Sequence, residues 1–133
     1  MSAAIISSVN GDGTHGGIVG LNNKVSGKRL IIRGCVFDGQ LIGRNTNKCG
    51  GFIGWRSGTA DIYDSVFDMN KLPNVDNYIQ DEGSAMFARN KVDTHNSYYL
   101  TVFGTDDANQ WKYGYKIDSS WMVKAEFAGD FIV

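Results

Sequence analysis

The residues with the most chemical scope are Asp61 and Asp93, together with Arg33, Tyr63 and His95. Two carboxylates held close together are the groups that glycoside hydrolysis uses. A mixed aromatic and acidic surface is also of the kind that holds sugars. The five residues fall into two rows. Arg33, Tyr63 and His95 are spaced by 30 and then 32 positions, and Ile31, Asp61 and Asp93 repeat the same two intervals. These five form the candidate ligand-binding patch, with Trp55 and Tyr98 as its extensions. The plainer reading of the same rows is a solvated face kept polar by its acids. No catalytic residue is assigned, because neither an acid partner for the two aspartates nor long loops walling a substrate groove are evident.

Other reactive side chains give weaker readings. Cys35 reads as an inert core thiol, since a nucleophile needs an imidazole-type base beside it and His15 and His95 are distant in sequence. Cys35 and Cys49 have no metal-ligand spacing, and their pairing across a loop stays open in an oxidising compartment. Asn10-Gly11-Asp12-Gly13 offers oxygen ligands for calcium but only one side-chain carboxylate, so it reads as a plain turn. Asp106-Asp107 is no stronger, and Asp76, Asp81 and Glu82 lie in a long turn region, Asn70 to Gly83, that is either solvated or in contact with a ligand. No metal and no cofactor are expected.

The rows follow from an internal repeat. Gly16-Gly17-Ile18-Val19-Gly20-Leu21 recurs 34 residues later as Gly50-Gly51-Phe52-Ile53-Gly54-Trp55, and Ser84-Ala85-Met86-Phe87-Ala88-Arg89 is a degraded third copy at the same spacing. A second block runs Leu30 to Asp38, Ala60 to Asp68 and Val92 to Leu100. Each repeat is too short to bury its own apolar face, so successive copies must stack and cover one another. Stacking predicts ladders about 4.8 Å apart. Phe37, Phe67 and Tyr99 form an aromatic ladder, Ile32, Ile62 and Thr94 an aliphatic one, and Cys35, Ser65 and Ser97 a small-residue one. Gly34, Asp64 and Asn96 are the types that tolerate a left-handed backbone, so each marks a corner between two short strands. Alternation then points Leu30, Ile32, Cys35 and Phe37 inward and Ile31, Arg33, Val36 and Asp38 outward. Ile5 to Gly11 reads as the second half of an earlier, incomplete coil.

Composition agrees with an all-β chain. Glycine is frequent at 17 and proline nearly absent at 1, and short β-branched and aromatic runs are broken by Gly and Asn. The expected fold is a parallel β-helix (solenoid) of about three coils over residues 1–112, with coils at about 16–49, 50–83 and 84–112. Residues 113–133 are expected to cap it, the alternative being the start of a further domain. A strand is expected over Tyr113 to Asp118, then a short helix over Ser119 to Phe127 with Ser119 or Ser120 as N-cap and Trp121, Ala125 and Phe127 over the open end. A formal net charge of -1 gives no support for nucleic-acid binding, and no apolar run approaches a membrane span. Met1-Ser2-Ala3-Ala4 lacks the charged region of a secretory leader, so the reading expects a leader already removed or a piece of a longer protein.

These blocks resemble the GLUG-type repeats of bacterial surface and secreted proteins, including repeat regions of immunoglobulin A peptidases and gut-bacterial adhesin-like proteins. The family repeats Gly-Gly-apolar-apolar-Gly-aromatic, then an apolar strand ending in Asn-Cys-x-Phe-x-Gly. Gly16 to Leu21 and Gly50 to Trp55 match the first element, and Gly34-Cys35-Val36-Phe37-Asp38-Gly39 the second with Gly for Asn. Asn96-Ser97-Tyr98-Tyr99 and Ala108-Asn109-Gln110-Trp111-Lys112 are similar to the way such arrays close, with Ser for Cys. The resemblance spans roughly residues 5 to 112 and departs most in the third coil, which lacks the Gly-Gly pair. It implies a right-handed β-helix at the bacterial cell surface or outside the cell. Such a module is non-enzymatic, a stalk or adhesive piece that meets carbohydrate, host protein or neighbouring repeats of its parent. A fragment of a β-helical polysaccharide lyase or hydrolase is the alternative.

Overall fold

The computed structural model describes residues 3–13, 15–72, 74–89, 92–104 and the backbone of 115–116. Among these the protein is all-β, with no helix, and its strands are two to five residues long. Every pairing between strands is parallel. Parallel neighbours need a long connection, and for every pair but the last, where Tyr98 and Tyr115 are 17 residues apart, it is a whole repeat.

The longest set joins β4 (Arg29–Arg33), β9 (Thr59–Tyr63) and β11 (Asp93–His95), with Ile32 beside Ile62 and Ile62 beside Thr94. The next places β5 (Val36–Phe37), β10 (Val66–Phe67) and β12 (Tyr98–Tyr99) side by side. A further strand, β13 (Tyr115–Lys116), pairs with β12, inside the segment expected to be extended. The expected helix and cap residues after it lie outside the described residues. Three two-stranded sheets complete the set. β3 (Val19–Asn22) pairs with β8 (Ile53–Arg56), β1 (Ala4–Ile6) with β6 (Gln40–Ile42), and β2 (Gly11–Asp12) with β7 (Thr46–Asn47). Residues 4–12 thus cover the second half of the first repeat, as the incomplete-coil reading expects. No sheet closes on itself.

The corner between the two longest sheets follows residue type. Gly34, Asp64 and Asn96 all have positive φ, at 65°, 49° and 47°. Beside them the small-residue ladder becomes a hydrogen-bonded one. The Cys35 N–H donates to Ser65 Oγ at 3.2 Å, and the Ser65 N–H to Ser97 Oγ at 3.3 Å. Each serine hydroxyl donates in turn to the carbonyl two residues before it. The corner is therefore tied between repeats by side chains where the backbone ladder is interrupted.

Inside, Phe37, Phe67 and Tyr99 are fully buried, and the Phe37 and Phe67 rings stack 5.8 Å apart at 7°. Burial of each phenylalanine contributes about 2–3 kcal/mol. Phe52 meets Phe67 and Phe87 edge-on, the latter at 5.0 Å. Leu30 and Cys35, in the first repeat, are only partly buried against this core.

Two features differ from the expected pattern. The third copy of the glycine block is displaced by one residue: Gly50 bridges Ala85, not Ser84, and Ile53 bridges Ala88. Packing sets this register, because it brings Phe87 against Phe52 while Ser84 Oγ accepts the Cys49 N–H at 2.8 Å. The second is the turn region 70–83, which is part of the packing. Gly43, Lys48, Ile79 and Gln80 make backbone bonds between it and residues 41–48, and Ile79 is buried.

The Gly-Gly pair is required by close approach. A Cβ on Gly51 would sit 1.9 Å from the Met86 carbonyl oxygen and 2.4 Å from the Phe67 ring, whereas one on Gly34 meets nothing. Gly51→Ala should therefore lower unfolding free energy by about 3 kcal/mol or more, because backbone must shift. Gly34→Asn should change it by less than about 1 kcal/mol, since asparagine accepts this conformation. Urea unfolding followed by circular dichroism checks both, and equal losses would contradict the assignment.

Candidate functional site

Alternation along β4, β9 and β11 turns Leu30, Ile32, Ala60, Ile62 and Thr94 toward the core and leaves Arg29, Ile31, Arg33, Thr59, Asp61, Tyr63, Asp93 and His95 on the other face. All five predicted patch residues are brought together on this face. Asp61 stands beside Asp93 and Tyr63 beside His95 in register.

Arg33, Tyr63 and His95 form one continuous stack. The Arg33 guanidinium lies 4.3 Å over the Tyr63 ring, and the His95 ring covers the other face at 4.4 Å and 12°. Arg33 Nη1 is also 3.7 Å from Asp64 Oδ2, and Asn96 Nδ2 donates to Asp64 Oδ1 at 2.9 Å. The Tyr98 hydroxyl donates to Asn96 Oδ1, so Tyr98 borders the stack. Trp55 belongs to another sheet, where Arg89 covers its ring at 4.4 Å.

Asp61 differs from the exposed acid that its outward position suggests. Its side chain is only 8% exposed, with Arg29 Nε at 2.6 Å from Oδ2 and His95 Nε2 at 3.3 Å from Oδ1. Asp93, by contrast, is exposed. Both Asp61 oxygens are thus occupied, which suits a carboxylate that holds its neighbours in place. Sequence reasoning missed Arg29. The available signal was its place two residues before Ile31, on the same face and diagonal to Asp61.

The remaining candidates are structural. Cys35 and Cys49 are both free thiols. Cys35 Sγ donates to the Arg33 carbonyl, while Cys49 Sγ lies 4.0 Å from His15 Nδ1, a pairing across repeats that distance in sequence concealed. Cys49 has no exposed surface, and burial pushes its thiol above its ordinary range, against a smaller opposite effect from hydrogen bonding with the His15 backbone. A protonated, inaccessible thiol is a poor nucleophile. Asp12, in the turn weighed for calcium, is engaged by Lys48 and Arg89, and Arg89 Nη1 also donates to the Gly13 carbonyl. Asp81 is paired with Lys71. Among the described residues no cluster of three or more His, Cys, Asp or Glu side chains could hold a metal ion. Asp106 and Asp107 lie outside them.

No protein-family model, no curated protein and no solved structure matches the chain.

Arg29→Ala leaves the nearly buried Asp61 with His95 alone and should cost about 1–3 kcal/mol, reduced from a fully buried pair because Arg29 is half exposed. Arg33→Ala should cost less, and urea midpoints compare the two. For Cys49, the folded-state value lies above the unfolded one, so the folded chain keeps the proton longer. Its contribution to stability is complete below the ordinary thiol range and is lost as pH rises through and beyond it. Iodoacetamide labelling of the native chain, read by mass spectrometry, should modify Cys35 well before Cys49, and equal rates would contradict this.

Proposed function

We propose that the chain is a right-handed parallel β-helix of about three coils, serving as a structural and adhesive module of a bacterial secreted or cell-surface protein. One observation supports the architecture above others. Short segments lie parallel beside counterparts one repeat later, from 30 positions (Leu30 beside Ala60) to 36 (Ala4 beside Gln40), in five separate sheets, and most buried apolar side chains fall in one cluster. Parallel crossovers within a sheet are right-handed almost without exception, which supports the hand. The extracellular location rests on the likeness of Gly16 to Leu21, Gly50 to Trp55 and Gly34 to Gly39 to GLUG-type repeats.

Function then resides on the outer face of β4, β9 and β11, where Arg33, Tyr63, Asp93 and His95 reach solvent beside the fixed Asp61. This face is a carbohydrate-contact surface on a rigid scaffold. The lyase or hydrolase alternative is disfavoured by the Asp61 environment. A general acid or nucleophile must reach its substrate, whereas Asp61 is covered and bonded twice. Immobilised glycans should retain the chain, and retention should fall with Arg33→Ala and with His95→Ala. Incubation with pectin, alginate or host glycans should release no reducing ends. Sustained release would overturn the non-enzymatic reading, and failure to bind any glycan would overturn the adhesive one.

A further inference from the structure

We infer that the ligand of this outer face is an extended polysaccharide bearing repeated carboxylates, held by Lys24, Lys28, Arg29 and Arg33. The inference rests on the glycan-contact reading above and names its ligand class.

The charge balance of the face is the first argument. Two of its acids have cationic partners within the protein: Asp61 is paired with Arg29 and also contacts His95, and Asp64 is 3.7 Å from Arg33 and accepts from Asn96. Asp93 is left exposed. The cations, in contrast, keep free donors. Arg29 meets Asp61 through its Nε while its side chain stays 51% exposed, and Arg33 is 60% exposed. Lys24 and Lys28 are exposed, and among the described residues their ammonium groups have no ion pair. A chain with a formal net charge of -1 therefore carries a local cationic surface.

Shape is the second. Lys24, Val25, Gly27, Lys28, Arg29 and Thr59 line an open cleft of about 360 Å³ where β4 and β9 begin. The loop forming it is anchored at its start. The Asn22 carbonyl accepts the N–H groups of Ser57 and Gly58, and its side chain donates to the Thr59 carbonyl. Arg29 belongs both to this cleft and to the Asp61–His95 network, so cleft and stack form one surface. Arg29 and Arg33 are four extended residues apart, about 13 Å, so one carboxylate cannot reach both, whereas a polymer can.

The mode of contact is the third. Both faces of the Tyr63 ring are occupied, by Arg33 and His95. The ring cannot stack on a sugar or a base, which leaves hydrogen bonds and charge as the means of recognition. Guanidinium groups match carboxylates in geometry as well as charge. With the Tyr63 ring covered on both faces, the middle of the ladder offers no platform for the base stacking on which single-stranded nucleic acid relies.

The test uses the whole chain in biolayer interferometry against polygalacturonate, dextran sulfate, neutral dextran and duplex DNA. Polygalacturonate should bind most tightly, and added salt should weaken it. The double variant Lys24→Ala/Lys28→Ala, whose side chains make no ion pair among the described residues, and Arg33→Gln should each weaken it about tenfold. Circular dichroism should show both folded. Unchanged affinity in the double variant would overturn the assignment. Equal or tighter binding of dextran sulfate or DNA would overturn the carboxylate class. Equal binding of dextran and polygalacturonate would overturn the acidic ligand while sparing the glycan reading, and no binding to any polysaccharide would remove both.

Discussion

Phe67 sits with the Phe37 ring stacked on one side and Tyr99 in register on the other, and most of the structure is a consequence of that alignment. A side chain buried in such a ladder is covered by its equivalents in neighbouring repeats as well as by its own repeat. Sliding one strand by a single residue would turn the inward set outward and expose the aromatic row. Hydrophobic burial therefore fixes parallel register over repeats, and the hydrogen-bonding groups follow. Gly17 and Gly51 carry the same constraint into the neighbouring segment. There the backbone of one repeat lies so close to the carbonyls of the next, and to a phenylalanine ring of its own repeat, that a methyl group has no space. Ser65 and Ser97 carry it through the corner, bonding one repeat to the next where the sheets break.

The all-β character and the parallel pairing of the strands were largely legible because residue type recurs wherever stacking demands it. Inward ladders, the three left-handed corners and the Arg33–Tyr63–His95 row could all be aligned by eye, since each repeat imposes the same local requirement on its successor. What escaped was whatever depends on side chains meeting between unlike positions. Arg29 reaches diagonally to Asp61, and His15 meets Cys49 from a preceding repeat. The one-residue displacement at Ala85 escaped for a related reason. Once the third copy loses its glycines, pattern alone cannot choose between Ser84 and Ala85, and the fit of Phe87 against Phe52 chooses instead. The region 70–83 carries no repeat signal at all, because it pairs with residues 41–48 through backbone groups that any residue supplies.

Ladder formation also decides what the outer face can offer. On the inner side, like residues in register add favourable burial with each rung. On the outer side, a row of like charges in register would repel. The sequence varies the outer row instead. Arg33 over Tyr63 over His95 alternates a cation, a π-face and an imidazole, whereas the neighbouring row does set two acids, Asp61 and Asp93, side by side. Arg29 then fills the gap left by Ile31 and neutralises the middle acid from the diagonal.

This arrangement consumes the aromatic face that makes a ring attractive to a flat ligand. Tyr63 is stabilised by the stack and, for the same reason, withdrawn from stacking with anything else. Its neighbours present edges and donors: guanidinium nitrogens at both ends of β4, ammonium groups on the adjoining loop, and an imidazole half exposed at the last rung. The spacing of those donors is set by the strand and by the rung, two lengths that the buried ladder holds fixed. The core thus determines more than stability. By fixing rung spacing and register it fixes the distances between exposed charges, and a ligand with regularly spaced groups is the kind that a regularly spaced surface can recognise.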